Sequence, residues 1–369
     1  MISRKQAIGR RRVALGGLAL VLALGAGLIW TRRDPLPVRA VIRPQGWFWE
    51  AGFGHDGRSY LVQVRGGLVR HDAATGRAIG FIPLDCKLAA QGWSEDEGGR
   101  TATAIASAPD DTSSLLKVDA ATGAVRARFA GSPGRQLCCV RPADGGRALA
   151  SVLIGGGKAP EAITWDVATG ATTRRAVGMP RFPIGGTADG RTWAYLDPAR
   201  DGVLLWDAAA DRPLGPAQRD PADPAATGGC APFGADGRSL AVARADGRIE
   251  FWDFPAARLL RTVAAHRAGF APTFGLFSPD GRLLISLAQR TGPDWRSRGL
   301  DRYNGLVPPN WRVYDNHETV VLDVDAGAVV ARWPGVMYPP QFSPDGRTLA
   351  VQEPDGTFSL RDVPARPRP

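Results

Sequence analysis

Four histidines, His55, His71, His266 and His317, are the side chains best suited to acid–base or metal chemistry near neutral pH. None stands four residues from another, and His317-Glu318 lacks the second histidine of a helical zinc site. No G-x-S-x-G nucleophile elbow is present, and "IGGGKAP" at 154–160 lacks the spacing of a phosphate loop. Cys86, Cys138, Cys139 and Cys230 form no C-x-x-C pair, so zinc and thioredoxin-like chemistry are not indicated. The vicinal pair falls on an expected innermost strand, whose alternation sends the two thiols to opposite faces; Cys139 is then a candidate disulfide partner for Cys86. The expectation is a chain without catalytic residues, metal or cofactor.

One stretch carries the residue types of a recognition surface. "QRTGPDWRSRGLDRYNGLVPPNWRVYDNH" at 289–317 holds Trp295, Tyr303, Trp311 and Tyr314 among Arg296, Arg298, Arg302 and Arg312. Trp, Tyr and Arg supply most of the binding energy in protein interfaces, because they bury large areas and still hydrogen-bond. These eight residues are the candidates for contact with a protein partner. A second long segment, "PAQRDPADPAATGG" at 216–229, is proline-rich and reads as a crossing.

The elements that position this stretch follow from a repeat. A turn phrase recurs as "HDGRSYLV" (55–62), "EGGRTATA" (97–104), "DGGRALAS" (144–151), "ADGRTWAY" (188–195), "ADGRSLAV" (235–242), "PDGRLLIS" (279–286) and "PDGRTLAV" (344–351). The intervals between its arginines are 42, 47, 44, 47, 44 and 65 residues: a steady period with one insertion, at 289–317. A second phrase alternates with it, from "HDAATG" at 71–76 and "VDAATG" at 118–123 to "LDVDAGAVV" at 322–330 and "RDVPARP" at 361–367. In the first phrase glycine takes the left-handed position of a hairpin turn. In the second, the aspartate carboxylate accepts backbone N–H groups of the turn that follows. Two hairpins per unit make four short antiparallel strands, and units of this length and content are propeller blades. Because both turn types lie at one end of the blade, the insertion belongs to the other, more variable face.

"FSPDGRTLAV" and "FWD" resemble the WD-repeat β-propeller family over residues 37–366. The Gly-His pair of that family is missing, His266 in "AAHRAG" being the nearest approach, and with it the buried Asp–His–Ser/Thr–Trp network that the resemblance implies. The blades are therefore expected to rely on apolar packing by Trp165, Trp206 and Trp252, and by Phe53, Trp93, Phe233, Phe277 and Phe342 before the turns. "VDAATGAVRARF" and "LDVDAGAVVARW" also resemble the tryptophan-docking phrase of propeller quinoproteins, which non-catalytic outer-membrane assembly propellers share. A propeller enzyme or such an assembly propeller is thus the alternative reading.

The chain ends supply the closure. The last unit stops in "PARPRP" after three strands, whereas "PVRAVIRP" at 37–44 is a strand in excess at the start. A ring leaves no open edge if Val38 to Ile42 pairs with Phe358 to Arg361. Upstream, residues 1–12 are basic, residues 13–30 ("VALGGLALVLALGAGLIW") carry no charge, and residues 31–36 are a linker. Eighteen apolar residues at ~1.5 Å each nearly span a hydrocarbon core. The heavier arginine cluster precedes them, which places the N-terminus in the cytoplasm and the propeller on the extracytoplasmic side of a single-pass protein. Ala23-Leu24-Gly25 allows signal cleavage instead, and "RRRVAL" resembles a twin-arginine export signal. Of the net charge of +10, all but +2 lies in residues 1–43, so nucleic acid is not an expected partner of the body. The expected fold class is all-β: a seven-bladed β-propeller preceded by one N-terminal transmembrane or signal helix.

Overall fold

Strands form here because alternate residues of one run bury against different neighbours. In Thr348–Gln352, "TLAVQ", Leu349 and Val351 join one apolar cluster and Ala350 the next. The computed structural model describes residues 36–44, 51–84, 87–95, 99–107, 112–129, 133–143, 147–155, 157–176, 178, 183–187, 191–197, 202–217, 234, 237–253, 258–291, 317–334, 340–353 and 355–363.

Within them a first strand, β1 (Val38–Ile42), precedes the sheets. Blade 1 is β2 (Ala51–Phe53), β3 (Ser59–Val64), β4 (Gly67–Asp72) and β5 (Ala78–Pro83). Blade 2 is β6 (Lys87–Glu95), β7 (Thr101–Ser107), β8 (Ser113–Asp119) and β9 (Val125–Phe129). Blade 3 is β10 (Gln136–Ala143), β11 (Ala148–Ile154), β12 (Glu161–Asp166) and β13 (Thr172–Ala176). Blade 4 is β14 (Pro183–Gly186), β15 (Thr192–Asp197), β16 (Gly202–Asp207) and β17 (Arg212–Ala217). Blade 5 has three strands among the described residues: β18 (Ser239–Ala243), β19 (Arg248–Asp253) and β20 (Arg258–Ala264). Blade 6 is β21 (Phe270–Phe277), β22 (Leu283–Arg290), β23 (His317–Asp323) and β24 (Ala328–Pro334). Blade 7 is β25 (Gln341–Phe342), β26 (Thr348–Gln352) and β27 (Phe358–Asp362), and β1 completes it. All pairings are antiparallel, and the architecture is a seven-bladed β-propeller.

The core lies between blades rather than within them. One cluster joins Leu61, Leu68 and Ile82 of blade 1 to Ala104 and Leu116 of blade 2. Others join blade 2 to 3 through Phe129 and Trp165, blade 3 to 4 through Val152 and Trp193, and blade 5 to 6 through Phe251 and Leu284. Blades 6 and 7 meet through Trp333 and Leu349, and blades 7 and 1 through Phe358 and Tyr60, whose rings lie 5.4 Å apart. Trp165, Trp206, Trp252, Phe277 and Phe342 are buried, and Phe53 packs half-buried against Tyr60. Trp93 and Phe233 lie outside the described side chains.

The ring is closed by the N-terminal strand. Val38 stands opposite Arg361, Ala40 opposite Leu360, Val41 opposite Ser359 and Ile42 opposite Phe358. The Asp362 N–H adds a bond to Pro37 O (2.8 Å), and Leu36 and Ile42 are fully buried.

Both turn phrases do what their residues dictate. Asp72, Asp119 and Asp166 each accept the N–H and hydroxyl of the threonine three residues on. Gly123 closes one such turn at φ +72°, where a Cβ would stand 1.9 Å from Pro83 O of the preceding blade, so no other residue fits. In blade 4 the same position is Asp211, at φ 48°. Its carboxylate accepts Trp206 Nε1–H (3.2 Å) and the Gly178 N–H (3.2 Å), two bonds that favour an otherwise disfavoured conformation.

Candidate interaction face

The insertion of 292–316 rises from a hairpin stem. β22 and β23 pair from Leu283↔Asp323 to Gln289↔His317, so their last rungs lie at the face opposite the "DGR" turns. Thr291 then donates its N–H to Gly269 O (2.8 Å), in the connection from blade 5 to blade 6. Trp295, Arg296, Arg298, Arg302, Tyr303, Trp311, Arg312 and Tyr314 all lie outside the described residues, so the stem is what the structure gives of this site. Cys86 and the side chain of Cys139 also lie outside them.

A buried polar network holds the base of the stem. His266 precedes β21, Ser286 is on β22 and Glu318 opens β23. His266 Nδ1 lies 3.1 Å from Glu318 Oε2, and Nε2 lies 3.0 Å from Ser286 Oγ. Glu318 also accepts the Arg267 N–H (3.1 Å) and the Arg267 guanidinium, and pairs with Arg332 Nη1 at 2.8 Å. Arg332 donates in turn to Ala265 O (2.8 Å). The side chains of His266 and Glu318 are 0% exposed. Burial by itself pushes the Glu318 carboxyl up. The bonds from His266, the Arg267 N–H, Arg332 and the Arg267 guanidinium outweigh burial and hold it at about 2. The sequence put a buried histidine network in doubt and pointed more to apolar packing; blade 6 holds a buried polar network of its own, built from His266, Ser286, Glu318, Arg267 and Arg332.

Serine, histidine and carboxylate in this order resemble a hydrolytic relay, but the surroundings decide otherwise. Ser286 is 1% exposed and its hydroxyl also donates to Phe274 O (3.3 Å). A nucleophile needs space beside its oxygen for a substrate carbonyl, and here the oxygen lies within a packed blade. The trio is a pin that joins three segments of blade 6. Just outside it, the guanidinium groups of Arg267 and Arg290 lie 5.1 Å and 4.7 Å from the ring centre of Phe270, at the start of β21. These stacked cations extend the rigid base toward the stem.

Related slots are filled differently elsewhere on this face. In blade 5, Arg244 Nη2 and Trp252 Nε1 both donate to Glu250 Oε2, at 2.7 and 3.0 Å. At blade 3, Arg135 pairs with Glu161 and donates to Leu153 O (2.9 Å) and Ala159 O (2.7 Å). An open groove of about 500 Å³ also runs between blades 1 and 2, lined by Pro83, Leu84, Leu116, Thr122 and Arg128. Among the described residues no group of His, Cys, Asp and Glu could hold a metal ion, and no helix is long and apolar enough to cross a membrane. No family model and no curated protein matches the chain.

Proposed function

We propose that this protein is a non-catalytic WD-type propeller scaffold at the cell envelope. Residues 13–30 tether it to the membrane, and the blade 6 insertion meets a protein partner. The observation that carries this reading is the stem. The longest interruption of the repeat, rich in Trp, Tyr and Arg, rises from a hairpin whose base is pinned by His266, Ser286, Glu318, Arg267 and Arg332. A fixed base lowers the ordering cost of binding, which otherwise consumes much of the gain from hot-spot contacts. The WD-type assignment is supported by the same network, in which a histidine bridges a strand hydroxyl and an acid. The polar groups within it are committed to holding the blade together, which favours presentation over catalysis.

The test is a double substitution, Trp295→Ala with Arg298→Ala, scored by co-purification of envelope proteins from cells expressing the full chain. Loss of one discrete partner, with an unchanged unfolding transition, is expected. Unchanged co-purification would remove the insertion from any interface.

A further inference from the structure

The residue just before the aspartate of the second turn phrase is tryptophan in blades 3, 4 and 5: Trp165, Trp206 and Trp252, all buried. In blades 3 and 4 it packs into the cluster shared with the preceding blade. Blade 4 shows what the indole fills. The Trp206 ring lies against the backbone of Gly178, beyond the last strand of blade 3, where a Cβ would stand 2.8 Å from Cζ2. Its Nε1–H donates to Asp211 in the turn that follows (3.2 Å). Gly178 stands twelve residues after Asp166, the turn aspartate of blade 3, and Asp211 stands four after Asp207.

Blade 2 has Val118 in place of the tryptophan, and beside it runs the open groove of about 500 Å³ between blades 1 and 2. The counterpart of Gly178 is Leu84, twelve residues after Asp72, and that of Asp211 is Gly123, four after Asp119. Leu84, Val118 and Gly123 all line the groove, so it lies between the same positions as the indole of blade 4. Its volume falls within the roughly 300–1,000 Å³ of ligand sites. The charge at the groove has one sign. Among the described residues Arg128 is the only ionisable side chain in the lining; it is exposed and has no side-chain partner among them. Asp119, at the neighbouring turn, is occupied by Arg126, Ala121 and Thr122.

We propose that this groove takes the indole of a tryptophan in a partner peptide, with an acidic residue beside it paired to Arg128. The incoming ring supplies the packing that Trp206 supplies from within blade 4. A guanidinium gives a carboxylate two parallel donors and also stacks on an aromatic face, so one arginine serves both parts of such a segment. A groove open along the rim leaves much of a small free molecule in water, whereas a peptide continues past it on either side. The site is separate from the blade 6 insertion and does not depend on the role of that insertion.

The probe is an acetyl-Asp-Trp-Asp-amide peptide made with 5-fluorotryptophan. It is added at millimolar concentration to the full chain in mild detergent and read by the width of its fluorine-19 resonance. Broadening is expected, reversed by the unlabelled peptide and not by its Asp-Leu-Asp analogue. Val118→Trp, which sets the chain's own indole in the groove as in blade 4, should abolish it. Arg128→Gln, at an exposed position, should weaken the Asp-Trp-Asp peptide about five- to tenfold and leave an Asn-Trp-Asn peptide unchanged. No broadening with the unaltered chain, equal competition by the leucine peptide, or broadening that survives both substitutions would overturn the site. Free N-acetyl-5-fluorotryptophanamide bound as tightly as the peptide would overturn the assignment to a peptide partner.

Discussion

The two faces of this propeller are built on different terms. On the "DGR" face the turn carboxylates are satisfied largely by neighbouring residues: Asp119 accepts from Ala121 and Thr122, and Asp345 from Arg347. On the opposite face some partners are remote, as with His266 and Glu318, which are 52 residues apart, and others close, as with Arg244 and Glu250. There blade 6 uses a His–Ser–Glu pin, blade 5 an Arg–Glu–Trp group and blade 3 an Arg–Glu pair. A local turn admits few residue choices, so its sequence repeats. A buried slot can be filled by any set that satisfies its hydrogen bonds, so its sequence diverges.

The largest expected effect falls on closure, on which both faces depend. Deleting residues 36–44 removes the β1–β27 pairing and the buried Leu36, Ala40 and Ile42. With ~1.5–3 kcal/mol for each large apolar side chain and the ladder bonds besides, the loss should exceed about 5 kcal/mol in urea unfolding. An unchanged midpoint would mean the ring does not depend on its first strand.

Next comes the remote pin. Glu318→Ala leaves His266, Arg267 and Arg332 facing one another without their acid, and should cost about 3–5 kcal/mol. The same group makes stability depend on pH. Its carboxyl is held at about 2 rather than 4.5, so its contribution is complete above pH ~4.5 and is lost as pH falls toward ~2. The shift corresponds to roughly 3 kcal/mol across that window. Glu318→Gln should flatten the pH profile of the unfolding midpoint there; an unaltered profile would place the acid sensitivity elsewhere.

The local face should respond less, and unevenly. Gly123→Ala meets the backbone of blade 1 and should cost about 2–3 kcal/mol. Gly281→Ala, at φ +71° but with nothing within 4 Å, should cost only about 1 kcal/mol for its left-handed backbone. Equal losses by urea titration would show that turn strain alone, and not contact between blades, sets the cost.

This contrast also explains what was legible. Seven units could be counted because "DGR" and "DxxTG" are constrained locally, and the pairing of Val38 to Ile42 with Phe358 to Arg361 followed from strands missing at one end and surplus at the other. The pin could not be read. His266 stood out in "AAHRAG", but its acid lies beyond the whole insertion and is a glutamate rather than an aspartate. Asp211 at a glycine position was equally opaque, because its partners, Trp206 and Gly178, come together only in the fold. Of the candidate site, the sequence located the insertion, and the described stem ends at Gln289↔His317, away from the "DGR" turns. The roles of Trp295 to Tyr314 rest on residue type.

The central claim is that the variable face presents the insertion to a protein while the repeated face does not. A photo-reactive amino acid placed at Trp295, and separately at Asp345, in the full chain in intact cells tests it most directly. The account predicts one discrete protein adduct from position 295 and none of that mass from position 345. The same adduct from both positions, or none from 295, would contradict it.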